Sequence, residues 1–200
     1  MIALIAITDD PAPPAPPLRA VRSGELAVLC APADDAAVTP DALWRREALL
    51  ESLMEDRDLL PVRFGTLVID ERAAAAAVAA RRDELRAALE RVRGAVELAV
   101  RARAHEAEAA LPATRNGREY LAARLGRSRA AVELHEPLAA LARASVIQPG
   151  DELLRAAYLV DRDAADAFTE RVRDLQRAHP ELALVCTGPW PPYSFAEGTG

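Results

Sequence analysis

The chain reads as an α+β protein of two small domains, and three observations lead there. Short apolar, β-rich runs such as Ile2–Thr8 and Leu26–Ala31 are interleaved with longer stretches of helical periodicity. The two kinds of element do not follow the strict strand–helix–strand alternation of a doubly wound sheet. In the second half, strands stand before, between and after the helical blocks, an order that suits a ferredoxin-like plan. Two hundred residues suffice for two modest cores. The expected division is 1–93 and 94–200, with no flexible linker to mark it.

The amino terminus, Met1-Ile-Ala-Leu-Ile-Ala-Ile-Thr8, is apolar but lacks a basic lead-in and a small-residue cleavage pattern, and meets Asp9 and Asp10 at once. It is expected to be a strand and not a signal peptide. Five prolines between Pro11 and Pro17 make the next segment a stiff extended loop. Leu26–Ala31 is a second strand, entered through Ser23-Gly24. Thr39-Pro40-Asp41 opens a helix with a capping hydroxyl, proline at the first position and an acid in the first turn. Leu43, Leu50, Leu53 and Met54 carry its periodicity to about Asp56. Pro61 forces an extended segment, and Val62–Ile69 reads as a strand interrupted near Gly65. A long Ala/Arg/Glu-rich helix is expected from about Glu71 to Arg91, ending near Gly94.

Gly94–Ala104 alternates as a strand, with Val96, Leu98 and Val100 on one side. Helices are expected over Arg115–Leu125 and Ser128–Ala144, a strand over Leu153–Val160, and an amphipathic helix over Asp163–Ala178 carrying Ala164, Phe168, Val172 and Leu175. His179-Pro180 stops that helix, and Leu182–Thr187 is the last strand.

The net charge of −6, with arginine as the only basic chain type besides three histidines, argues against a general nucleic-acid binder. The acidic excess lies in the first half. The longest wholly apolar run, Ala73–Ala80, is far shorter than the roughly 20 residues a membrane helix needs. Cys30 and Cys186 are isolated, and buried reduced thiols are the expectation.

Catalytic motifs are missing. No serine stands in Gly-x-Ser-x-Gly, no second histidine follows His105 or His135 at helical metal-ligand spacing, and the nine glycines form no phosphate loop. His105, Glu106 and Glu108 come nearest to a metal cluster, but alternation on a strand would not set all three on one side. No cofactor is expected.

Two segments stand out. Leu60-Pro-Val-Arg-Phe-Gly-Thr66 sets an arginine, an aromatic and a glycine in succession; on a strand Arg63 would oppose Val62 and Phe64, and Gly65 would permit a bulge or a close backbone approach. Thr187-Gly-Pro-Trp-Pro-Pro-Tyr-Ser-Phe195 packs three of the eight aromatics into six residues, and its three prolines bar it from a central strand position. Such a stiff arm either staples the chain's own core or grips a neighbour.

These two segments, with Tyr120-Leu121 and Ala157-Tyr158-Leu159-Val160 between them, resemble the gas vesicle F/L family (GvpF/GvpL) over essentially the whole chain. The resemblance implies two α+β domains, the second a modified ferredoxin-like fold. It also implies a cytoplasmic, non-enzymatic accessory or minor structural protein that acts with the small hydrophobic shell protein, and with other gas vesicle accessory proteins, in nucleation and assembly. No nucleic-acid or membrane partner is implied. Family members often carry a histidine early in the helix before the arginine motif, where this chain has Trp44-Arg45-Arg46. Candidate structural or contact residues are Arg63, Phe64, Gly65, Tyr158, Trp190, Pro191, Pro192, Tyr193 and Phe195. The competing reading is a ligand-binding or enzymatic protein on a ferredoxin-like scaffold, which would need a pocket of convergent polar groups.

Overall fold

The apolar amino-terminal run becomes the inner strand of the first sheet. The computed structural model describes residues 1–10, 12, 14–33, 39–105 and 129–196. Strand β1 (Ile2–Thr8) pairs antiparallel with β3 (Leu26–Pro32), which pairs with β2 (Arg19–Ser23). Gly24 and Glu25 form the two-residue turn between β2 and β3, where Ser23 faces Leu26. Gly24, at φ +68°, supplies the left-handed first position that a type II′ hairpin turn demands. Leu4 to Ile7 and Leu26 to Cys30 are all buried, so both faces of the inner strands are covered. This explains why those runs are continuously apolar and not alternating.

Helix α1 (Pro40–Asp56) begins as its sequence dictates, with Thr39 Oγ1 accepting from the Ala42 amide at 3.2 Å. Two very short strands, β4 (Leu60–Pro61) and β5 (Leu67–Val68), both pair antiparallel with the remaining edge of β1. Asp70 caps α2 (Glu71–Ala80), and α3 (Arg82–Val92) follows, burying Leu85, Ala88, Leu89 and Val92. The single long helix expected here is thus two helices, broken at Arg81 with neither glycine nor proline to announce it. Strand β2 also went unread in the sequence, because Arg19 and Arg22 mask a five-residue strand beside the proline loop.

The second sheet has the order β7-β8-β6-β9. Its strands are β6 (Ala95–Ala104), β7 (Ala144–Ile147), β8 (Leu154–Asp161) and β9 (Leu182–Trp190). Helix α4 covers residues 129–139 and α5 spans Ala165–Ala178 after one 3₁₀ turn at Arg162–Ala164. First and third strands lie side by side at the centre, the ferredoxin-like arrangement. Leu98, Val100, Tyr158, Val160, Phe168, Val172, Leu175, Leu134 and Leu138 form the core between sheet and helices. The helix expected to run to Ala144 stops earlier, because Ala144–Ile147 turns into an edge strand hydrogen-bonded to β8. The helix expected at Arg115–Leu125, Tyr120, Glu106 and Glu108 lie outside the described residues.

Contacts cluster into two compact units, Met1–Gly94 with Trp190–Gly200, and Ala95–Pro189. The terminal arm, expected with the second domain, therefore belongs by its contacts to the first unit. A short helix, α6 (Tyr193–Ala196), forms in it. The last strand also runs on past Thr187 to Trp190, carrying Pro189 within it. An edge strand tolerates the missing donor, and β9 is an edge strand. No helix of the described residues is long and apolar enough to cross a membrane.

Candidate functional site

The arginine–phenylalanine–glycine segment is not strand but an excursion between two strand stubs. Ile7 and Ala6 pair with Leu60 and Pro61, and Ala3 and Ile2 pair with Leu67 and Val68. Between them the Val62 amide donates to Ile5 O (3.0 Å) and the Leu4 amide to Thr66 O (2.9 Å). Residues 62–66 thus stand against only two residues of β1. Arg63 O accepts from both the amide (3.2 Å) and the hydroxyl (2.8 Å) of Thr66, closing a four-residue turn. Gly65 occupies the third position at φ +82°, the geometry of a type II turn. A Cβ placed on Gly65 would meet nothing within 4 Å, so the glycine is there for its backbone angle and not for close approach. Arg63 and Gly65 are exposed and Phe64 is half-buried.

An excursion of this kind interrupts the ladder along β1, and a side chain adds donors at the break. Arg46, on α1, is buried, and its Nη2 donates to Leu4 O (3.1 Å), Ile5 O (2.6 Å) and Val62 O (2.8 Å). β1 is also irregular here, since its register against β3 shifts between Leu4 and Ala6. A bulge on one side and an excursion on the other meet at Ile5, and the guanidinium seals the gap. Burial draws the Arg46 pKa below its usual value, partly countered by Tyr193 and Glu47. Its Nε is buried with no hydrogen-bond partner among the described residues.

Tyr193 brings the second segment to the same place. Its hydroxyl donates to Glu47 Oε2 at 3.3 Å. Burial first and then the Glu47 carboxylate push the phenol up to about 12, against the opposing pull of Arg46. Phe195 is buried, and its carbonyl accepts from Arg91 Nη2 at 3.2 Å. Pro191 and Pro192 are buried, Trp190 is half-buried, and Tyr193 remains just over a third exposed at 37%. Arg63, Phe64, Gly65, Tyr193 and Phe195 therefore all belong to one unit, and α1 connects the excursion to the arm, through Arg46 to Val62 and through Glu47 to Tyr193.

Tyr158 stands apart. It is fully buried in the second unit, hydrogen-bonded to His135 Nδ1 at 2.8 Å and packed on Phe168 with ring centroids 5.1 Å apart. Burial raises its pKa well above the ordinary phenol value. His135, which no second histidine follows at metal-ligand spacing, thus has a specific partner in Tyr158. Both cysteines are free, Cys30 buried and Cys186 half-buried. Among the described residues no three His, Cys, Asp or Glu side chains are placed to hold a metal ion.

Arg46 is the residue that sequence reasoning passed over. Its signal was present: positions 46, 50 and 54 are the buried ones of α1, two steps of four. An arginine on that stripe must find polar partners inside the fold.

Comparison with known proteins agrees with this architecture. A family model described as gas vesicle synthesis protein GvpL/GvpF matches residues 9–197. Gas vesicle protein F of Streptomyces sp. (strain CB03234) is 32% identical over 92% of this chain and 90% of its own length. Gas vesicle protein L of the same organism is 30% identical, covering 90% and 83%. The crystal structure of GvpF from Anabaena sp. PCC7120 superposes with a TM-score of 0.86 at 20% identity, covering 100% of this chain and 97% of that one. GvpF from Microcystis aeruginosa gives 0.83 at 18%, covering 98% of each. With its two α+β units, its arginine–phenylalanine–glycine turn and its terminal aromatic arm, the chain belongs to the gas vesicle GvpL/GvpF family.

Proposed function

We propose that the protein is an accessory or minor wall component of gas vesicles that binds the small hydrophobic shell protein and limits its aggregation during nucleation and assembly. Family membership supplies the setting, and one observation carries the binding role. The first unit exposes large apolar side chains: Ile69 (74%), Met1 (73%), Trp44 (70%), Leu43 (44%) and Leu67 (40%). Val68 pairs with Ile2, so Met1, Leu67 and Ile69 lie at one end of the β1–β5 ladder. Leu43 and Trp44 belong to the first turns of α1, just ahead of the Arg46 that reaches Leu4 O. Scattered exposed apolar residues are ordinary, whereas Met1, Leu67 and Ile69 stand together at one ladder end, the kind of grouping that supports a contact surface.

A wall that encloses gas is built from subunits with apolar surface, which aggregate in water unless masked. A helper with its own apolar surface, carried on an acidic unit, covers such subunits and keeps the complex in solution. Co-expression with the shell protein tests the role. The intact chain should co-purify with it and raise its soluble fraction, while Trp44→Ser with Ile69→Ser should lower both at least several-fold. Neither co-purification nor improved solubility with the intact chain would sink the proposal.

A further inference from the structure

The second unit carries a charged face that its core does not use. In the β6–β8 ladder Arg101 stands directly opposite Arg155. Arg103 follows two residues along β6, on the same face. All three are exposed. Like charges directly opposite in an antiparallel pair repel, so this placement is unfavourable within the unit itself.

One carboxylate partly offsets it. Arg103 Nε donates to Glu152 Oε1 at 2.7 Å, and Arg101 Nε stops 4.0 Å from Oε2. The Glu152 side chain is only 10% exposed, and Oε2 has no hydrogen-bond partner among the described residues. Arg155 has no side-chain partner among those residues either. Among the described residues one acid thus serves two of the three guanidinium groups and none serves the third, in a chain whose net charge is −6. Beside them, Val146 pairs with Ala157 on the same face and is 38% exposed.

We propose that this face docks an acidic segment of a partner protein: an extended stretch with carboxylates at alternate positions and an apolar side chain alongside. Alternate residues of an extended chain repeat every ~6.6 Å, the same interval that separates Arg101 from Arg103. Each guanidinium fork matches a carboxylate bidentately, and a carboxylate set between Arg101 and Arg155 removes their repulsion. Val146 supplies the apolar contact that a bare polyanion would leave unused. The acidic whole disfavours a long uniform polyanion such as a nucleic acid, which contacts far more than one small patch. This docking is separate from the apolar surface of the first unit, so either proposal stands or falls without the other.

The probe is a dye-labelled peptide of alternating glutamate and serine with one central valine, titrated with the full chain and followed by fluorescence anisotropy. Saturable binding is expected that weakens as salt rises from about 50 to about 200 mM. Arg101→Gln with Arg155→Gln should weaken it about tenfold, the loss of roughly two charge-assisted contacts. Arg129→Gln, an exposed arginine on α4, should change it less than about twofold. Arg155→Gln should also leave the melting temperature unchanged or raise it, since it relieves repulsion. Absence of saturable binding at low salt, equal losses in the Arg129 variant, or tighter binding of an oligothymidylate would overturn the assignment. So would a lowered melting temperature in Arg155→Gln, which would make that arginine a structural residue.

Discussion

The two sheets of this protein complete their hydrogen bonding in different ways. In the second, β6 and β8 pair through eight successive residues, Ala95–Ala102 against Leu154–Asp161, and the core rests on many interdigitated apolar side chains. In the first, the edge of β1 facing β4 and β5 is paired at two residues on each side of an excursion, and one arginine serves the carbonyls at the break. Where ladder bonds are distributed, each is dispensable within about 1 kcal/mol. Where a single buried cation serves three acceptors, the loss is concentrated. The first unit should therefore be the more fragile to one substitution and the second the more tolerant.

The largest expected effect comes from Arg46→Met. Removing the guanidinium takes the charged donor away from the carbonyls of Leu4, Ile5 and Val62, leaving Ile5 O only the Val62 amide, at a cost of about 3–5 kcal/mol. Hydrogen exchange should show faster opening of β1, β4 and α1, with β6 and β8 unchanged. The matching lesion in the other unit is Leu98→Ala, about 3 kcal/mol from a core cavity, with the opposite exchange pattern. Arg46→Lys should recover only part of the loss, since the shorter lysine side chain must bring its ammonium to the place where Nη2 meets all three carbonyls. Unchanged protection of β1 in Arg46→Met would refute the idea that a side chain completes this sheet.

Turn glycines allow a finer comparison. Gly65 sits at φ +82° with open space where a Cβ would go, so Gly65→Ala meets no clash and costs only the left-handed conformation, about 1–2 kcal/mol. Gly150, in the segment joining β7 to β8, also has open space but no such backbone angle. Gly150→Ala should then be neutral or stabilising by about 0.5 kcal/mol, through a less mobile unfolded chain. Denaturant midpoints for the two variants settle the point, and equal destabilisation would mean that φ is not what Gly65 provides.

How far these features were legible in the sequence follows from the same contrast. Elements with strong periodicity were readable: the Thr39-Pro40 helix start, the stripe Phe168–Val172–Leu175, and the alternation of β6. Arg46 was not, because Arg45 beside it is chemically identical and only the spacing to Leu50 and Met54 tells them apart. The strand Ala144–Ile147 was swallowed by an alanine-rich helical pattern running into it, and the break at Arg81 carries no local signal at all. The strand depends on its tertiary pairing with β8, which overrides weak local preference. The two family segments were recognisable as sequence, but their meeting through Arg46 and Tyr193 required the fold.

A small expected effect tests that meeting by titration. Tyr193 has its phenol pushed up from 10.0 to about 12, by burial first and the Glu47 carboxylate second. An acid whose folded pKa lies above its unfolded one keeps its proton longer in the native state. The unfolded chain then loses protons first, so stability is level below pH 10 and falls as pH rises from about 10 to about 12. Because Tyr193 is 37% exposed, solvent screening keeps its share of that fall small. Tyr158, buried and also shifted upward, falls in the same direction within the second unit. Tyr193→Phe should therefore lose a little stability near neutrality, about 0.5–1 kcal/mol for the hydroxyl bond to Glu47, yet show a shallower alkaline decline in the first unit. The second unit's decline should be unaltered. If the alkaline profile of the first unit is identical with and without the hydroxyl, Tyr193 is not held against Glu47 and Arg46, and the arm is anchored by Phe195 and its prolines alone.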